Sequence, residues 1–155
     1  MGYIPQDAEW YVAELVMEIS VCGGRCNVIH RNLTLITAHS PEEAYSKAIR
    51  MGKEGETQYM NPKDQRVDIR FRGISTLDVV YDPFVDGAEI SFVEELAVPE
   101  TRIQSMLPPK GKLAVFTAPH PGEERDPDYR SKAVVERAVK RIARRSPPSG
   151  FLRGS

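Results

Sequence analysis

Two stretches, Trp10–Val21 and Asn27–Thr37, alternate apolar and polar residues at the period of a β-strand, and only CGGRC separates them. No other feature constrains the fold as tightly, because two such runs around a Gly-Gly turn read as one antiparallel hairpin. With Gly23, Gly24 and Arg25 as a three-residue loop, Cys22 opposes Cys26 and every later pair is set. Ile19 then faces Ile29, Leu15 faces Leu33 and Ala13 faces Leu35, an apolar side interrupted only by Met17 opposite Arg31. The other side collects Trp10, Val12, Val16, Val28 and Ile36. A ribbon that is greasy on both sides needs a cover on each.

The same register sets Cys22 beside Cys26 on the outer side, with His30 across from Glu18. Four residues along a strand is about 13 Å, too far for His30 and Cys26 to share one metal ion. A zinc site needs about four ligands, and the chain has no second cysteine pair. Small residues packing beside a tight turn is therefore the reading, and no metal and no cofactor are expected. A redox pair or a metal site at Cys22 and Cys26 is the alternative.

Ser40-Pro41-Glu42-Glu43 marks a helix start. Ser40 can cap free N–H groups, Pro41 suits the first helical position, and Glu43 completes a capping box. The helix carries Ala44, Tyr45, Ala48, Ile49 and Met51, and should fray at Gly52 or Gly55. A turn follows at Asn61–Asp64, then a strand over Val67–Phe71, a short extension over Leu77–Tyr81, and, past the Asp86-Gly87 turn, a strand over Ala88–Phe92. The expected fold is α+β: an antiparallel sheet of ββαββ order with one helix on a face.

Beyond Pro99 the pattern predicts a short helix over Glu100–Leu107 and a strand over Lys112–Thr117. Residues 9–118 form one domain, 119–128 a Pro- and acid-rich linker, 129–145 a helix and 146–155 a disordered tail. On a helical wheel Val134, Val135, Ala138, Val139 and Ile142 share one arc, with Arg130, Arg137, Lys140, Arg141, Arg144 and Arg145 on the other, so this is an amphipathic basic helix.

Trp10–Leu15, the run LITAHSPEEAYSKA over residues 35–48, Phe71-Arg72-Gly73-Ile74, Tyr81-Asp82 and Asp86–Ile90 together resemble a group of short bacterial proteins described as domain of unknown function 4288. The likeness covers about residues 9–95. It implies a small bacterial ββαββ domain and brings no activity, cofactor or catalytic residue with it. The cysteine pair and the basic helix fall outside the resembling pattern.

Charge narrows the function. Residues 1–128 hold 13 Lys and Arg against 21 Asp and Glu, while residues 129–155 hold 8 against 1. A basic tail on an acidic body reaches for a polyanion, for its own body or for a partner subunit. Arg137, Lys140, Arg141, Arg144 and Arg145 are the candidate nucleic-acid contacts. No aromatic side chain interleaves them for base stacking, and the acidic body would repel a polyanion.

Asp78, Asp82, Asp86 and Glu89 are the densest acidic cluster, but Asp82 precedes a proline and Asp86 a glycine, where Asp commonly bonds turn backbone. His30, His39 and His120 have no spaced nucleophile partner. No apolar run approaches the ~20 residues needed to span a bilayer. The N-terminus MGYIPQDAEW is neither basic nor apolar enough for a secretory signal, so the expected compartment is the cytoplasm. The expected role is a non-enzymatic protein-binding module, as a homodimer or with another protein. Its interface would be formed by Trp10, Val12, Val16, Val28, Ile36, Val135, Val139 and Ile142. Nucleic-acid binding is the alternative, and a metal or redox enzyme built on the cysteines or the acidic cluster is a further one.

Overall fold

The computed structural model describes residues 4–117 and 127–145 of the 155, apart from the side chain of Arg145. Most of the expected linker and all of the expected tail lie outside the described residues. Four strands, β1 (Trp10–Val21), β2 (Asn27–Thr37), β3 (Thr57–Met60) and β4 (Arg66–Val79), form one antiparallel sheet in the order β2-β1-β4-β3. Helix α1 (Pro41–Glu54) lies on one face, followed late in the chain by α2 (Glu100–Ser105) and α3 (Lys132–Arg145). The α+β class and the ββαββ order are those expected. Among the described residues no helix is long and apolar enough to cross a membrane.

The hairpin is present, but its register is one residue from the expected one. Tyr11 pairs with Ile36, Ala13 with Thr34, Leu15 with Asn32, Met17 with His30 and Ile19 with Val28. Two local causes account for the slip. The Gly24 N–H donates to the Val21 carbonyl at 2.9 Å, and Gly23 takes φ +80°, as the third position of a type II turn requires. The ladder therefore ends at Ser20 and Asn27, and the loop spans 21–26 rather than three residues. At the other end only Ala38, His39 and Ser40 separate β2 from α1. That short link draws Ile36 and Ala38 under the helix, where they join Tyr11, Ala13, Leu15, Ala44 and Ala48 in the core.

Helix α1 begins as its sequence signals. The Glu43 N–H donates to Ser40 Oγ at 3.1 Å, while Glu43 Oε2 accepts from the His39 N–H at 2.8 Å. The helix ends at Glu54 with Gly55 as its cap. Its buried residues are Ala44, Ala48 and Gly52, four apart, so a small-residue stripe lets the helix lie close to the sheet. A Cβ added at Gly52 would fall within 2.6 Å of Phe71 Cζ. Helix propensity alone favours Gly52→Ala by about 1 kcal/mol. The displaced Phe71 ring reverses the sign, and we expect a net loss of about 1–2 kcal/mol in urea unfolding.

Strand β4 joins into one element what the sequence divides into Val67–Phe71 and Leu77–Tyr81. Its register shifts twice, between Glu14 and Leu15 and between Val16 and Met17, and the bulges reset the alternation. Gly73, at φ +144°, sits at one of them. Strand β3 carries no period-2 apolar signal and is absent from the sequence reading. Ala88–Phe92 and Lys112–Thr117, expected as strands, are not strands; the latter region holds two 3-10 turns. Among the described residues the chain after Val80 makes no further ladder with the sheet.

Candidate interaction surface

Past the end of α1 the sheet keeps a second apolar cluster of Ile19, Val21 and Val67, flanked by Val28, Tyr59 and Ile69. The segment leading into α3 caps it. The Tyr59 hydroxyl donates to the Tyr129 carbonyl, and the Tyr129 ring meets His30 edge-on at 5.5 Å. Burial, followed by the nearby Tyr129 and Asp128, raises the Tyr59 pKa. Asn61 fastens the same segment from a fully buried position. Its Nδ2 donates to the Asp128 carbonyl at 2.9 Å and to Gln65 Oε1 at 3.0 Å, while its Oδ1 accepts from the backbone N–H groups of Lys63 and Gln65. Lys132 closes the seat with an ion pair to Asp64 at 2.6 Å.

The observed register divides β2 by face. His30, Asn32 and Thr34 turn to the α1 side, where with Leu15, Met17 and Glu54 they line an open groove of about 510 Å³. This groove escapes sequence reasoning, because the expected register sends His30 outward beside Glu18. Glu18 instead bonds Asn27 at 2.8 Å and Arg72 at 3.3 Å. Of the residues expected on the outer face, Trp10, Val12 and Val16 are there, but Val12 is 2% exposed and so already covered within the single chain, whereas Val28 and Ile36 lie on the α1 side. Ile29, Leu33 and Leu35 take their places and are exposed. Phe84, from the chain after β4, meets the Trp10 ring edge-on at 4.8 Å.

Glu14 lies among these outer residues, where Arg31 pairs with it and Ser75 Oγ donates to it at 2.6 Å. The Ser75 hydrogen bond, then Arg31, holds the Glu14 carboxyl below its ordinary range. A carboxyl depressed in the folded state stabilises at neutral pH, and that contribution is lost as pH falls below the ordinary carboxylate range. Thermal midpoints should therefore decline between about pH 5 and about pH 3, and Glu14→Gln should flatten part of that decline.

From Tyr81 to Thr117 the chain forms an arm in which every residue but Ala88 and Val98 is exposed. Val93 is 88% exposed, Leu96 82% and Val115 83%, with Phe92 and Leu107 also bare. Ala97 is held at φ +53°, a left-handed conformation that costs an alanine about 1 kcal/mol. Helix α2 buries none of its residues.

The other candidate residues do not converge. Asp82 Oδ2 accepts from the Glu89 N–H at 3.0 Å, a turn contact as its sequence context suggests, and Asp78 and Asp86 are exposed. Cys22 and Cys26 are free, exposed thiols in the loop and do not oppose each other in the ladder. Among the described residues no group of three His, Cys, Asp or Glu side chains comes together as a metal site. On α3, Val135 is half-buried and Val139 and Ile142 are exposed. Arg137 Nε donates to the Ala133 carbonyl at 3.3 Å, while Lys140, Arg141 and Arg144 carry no ion pair among the described residues.

No curated protein and no solved structure matches the chain. One family model does, over residues 10–91, which takes in the whole sheet, α1 and the first part of the arm. The matched segment is more than half of the chain, which therefore belongs to the family described as Domain of unknown function (DUF4288).

Proposed function

We propose that this protein is a non-enzymatic self-association module of the bacterial cytoplasm, working as a homodimer. The arm carries the reading. Large apolar side chains in water are unfavourable by about 25 cal/mol per Å² of area that a partner could cover, and Phe92, Val93, Leu96, Leu107 and Val115 all stand bare in the single chain. A left-handed alanine such as Ala97 persists where its surroundings over-determine it, and the arm's own chain supplies little packing there. The outer side of β2, with Ile29, Leu33 and Leu35 exposed, adds to the same surface. Changing Phe92, Leu96 and Val115 together to Ser tests the reading. These side chains do little within one chain, so the variant should still unfold in one cooperative transition while the dimer, and with it the concentration dependence of the thermal midpoint, is lost. Retention of the dimer would reject the arm as the contact.

The second reading is a nucleic-acid contact through Arg137, Lys140, Arg141, Arg144 and Arg145, favoured by the exposure of the first four. Binding of a DNA duplex titrated with salt, with and without residues 129–155, tests it. A steep fall in affinity with salt that disappears on truncation would support it.

A further inference from the structure

Two segments of this chain complement each other in both charge and apolar character. Residues 89–100 hold Glu89, Glu94, Glu95 and Glu100 and the bare side chains of Phe92, Val93 and Leu96; Glu95 pairs with Arg102 at 3.4 Å, and the other three carry no ion pair among the described residues. Helix α3 holds six Lys and Arg against the single Glu136, and exposes Val134 and Val139. Among the described elements α3 touches only β3, at the edge of the sheet, and α2, which carries Glu100 and Arg102, touches no other element. The arm leaves the sheet beyond Val79, whereas α3 is seated by Asn61 and Asp64 at the opposite end of β4.

We infer that α3 of one copy lays Val134 on Phe92, Val93 and Leu96 of a second copy, with Arg137 and Arg141, which follow Val134 along the same side of the helix, meeting Glu89, Glu94 and Glu100, and that the reciprocal contact closes a two-fold dimer. The inference rests on the self-association reading and names its contact. A two-fold axis repeats each contact, so one complementary pair of segments is used twice. The two segments together bring roughly 25 residues per chain, the number that an interface of about 800 Å² per partner uses. A partner surface would cover Val134, which is 56% exposed in the single chain. Charged residues at the rim and Phe92, Val93, Leu96 and Val134 at the centre follow the usual division between polar rim and apolar core.

Charge exchange tests this on the full chain. The dimer dissociation constant is measured by sedimentation velocity for the wild type, for E89R/E94R, for R137E/R141E and for the four-fold variant. All four positions are exposed, so far-UV circular dichroism should be unchanged. Each double variant should weaken the dimer by about 30-fold or more, and the four-fold variant should return to within about threefold of the wild type, because opposite charges again face each other. Double variants that dimerise like the wild type, or a four-fold variant no better than the weaker double variant, overturn the contact while self-association stands. A wild type that is monomeric throughout overturns both. If R137E/R141E leaves the dimer unchanged and abolishes binding of a mixed-sequence DNA duplex, α3 is a nucleic-acid element and the contact falls.

Discussion

Shortening Ile36 to alanine is expected to cost about 3 kcal/mol of folding stability, within the 2–5 kcal/mol range of buried aliphatic truncations. Shortening Leu33, three residues earlier on the same strand, is expected to cost less than about 0.5 kcal/mol. The contrast follows from the register. Ile36 is 1% exposed beneath Ala44 and Ala48, whereas Leu33 is 66% exposed on the far side of the sheet. A one-residue slip exchanges the two environments, so the pair of mutants reports the register without further coordinates. Urea unfolding of both variants at neutral pH, with equal m-values, is the measurement. Equal costs, or a larger cost at Leu33, would contradict the pairing of Tyr11 with Ile36.

The second large effect is at Asn61, whose side chain is fully buried and makes four hydrogen bonds. Asn61→Ala removes the acceptor for two backbone N–H groups and the donor to the Asp128 carbonyl. Leaving such groups without partners costs about 1–3 kcal/mol each where they stay dry, less where water enters. We expect a loss of about 3 kcal/mol, together with faster proteolysis near residues 127–132, because the seat of α3 is undone. Asn61→Asp keeps the acceptor and the shape but sets a carboxylate oxygen against the Asp128 carbonyl, and should recover only part of the loss. Proteolysis unchanged in Asn61→Ala would show that Tyr59 and the Lys132–Asp64 pair hold the segment without it.

The legible parts of the fold are those written in local signals. Alternation over Trp10–Val21 and Asn27–Thr37 marks both hairpin strands to the residue, and the Ser40 cap marks the start of α1. The register was not legible, because apolar residues occur at both parities in β2. Matching Ile29, Leu33 and Leu35 to β1 is locally as good as matching Val28 and Ile36. The choice falls to the Val21–Gly24 turn and to the three-residue link to α1, which draws Ile36 under the helix. Bulges break the period-2 pattern of β4 into pieces, and Ala88–Phe92 alternates like a strand but has no partner to pair with.

The candidate surface was half legible. The outer positions of Trp10, Val12 and Val16 follow from β1 alone, and the basic residues of α3 stand in the sequence. The arm did not appear, since exposure of Phe92, Val93 and Leu96 is a property of where the chain goes after Val80 and not of composition. The groove beside His30 depended on the register and was hidden with it.

Self-association is the claim on which the functional account stands, and the molar mass of the unmodified chain tests it most directly. Sedimentation equilibrium from about 1 to about 100 µM should return twice the mass of one chain at the upper end, as expected for an interface of standard size. A single-chain mass across the whole range would contradict it.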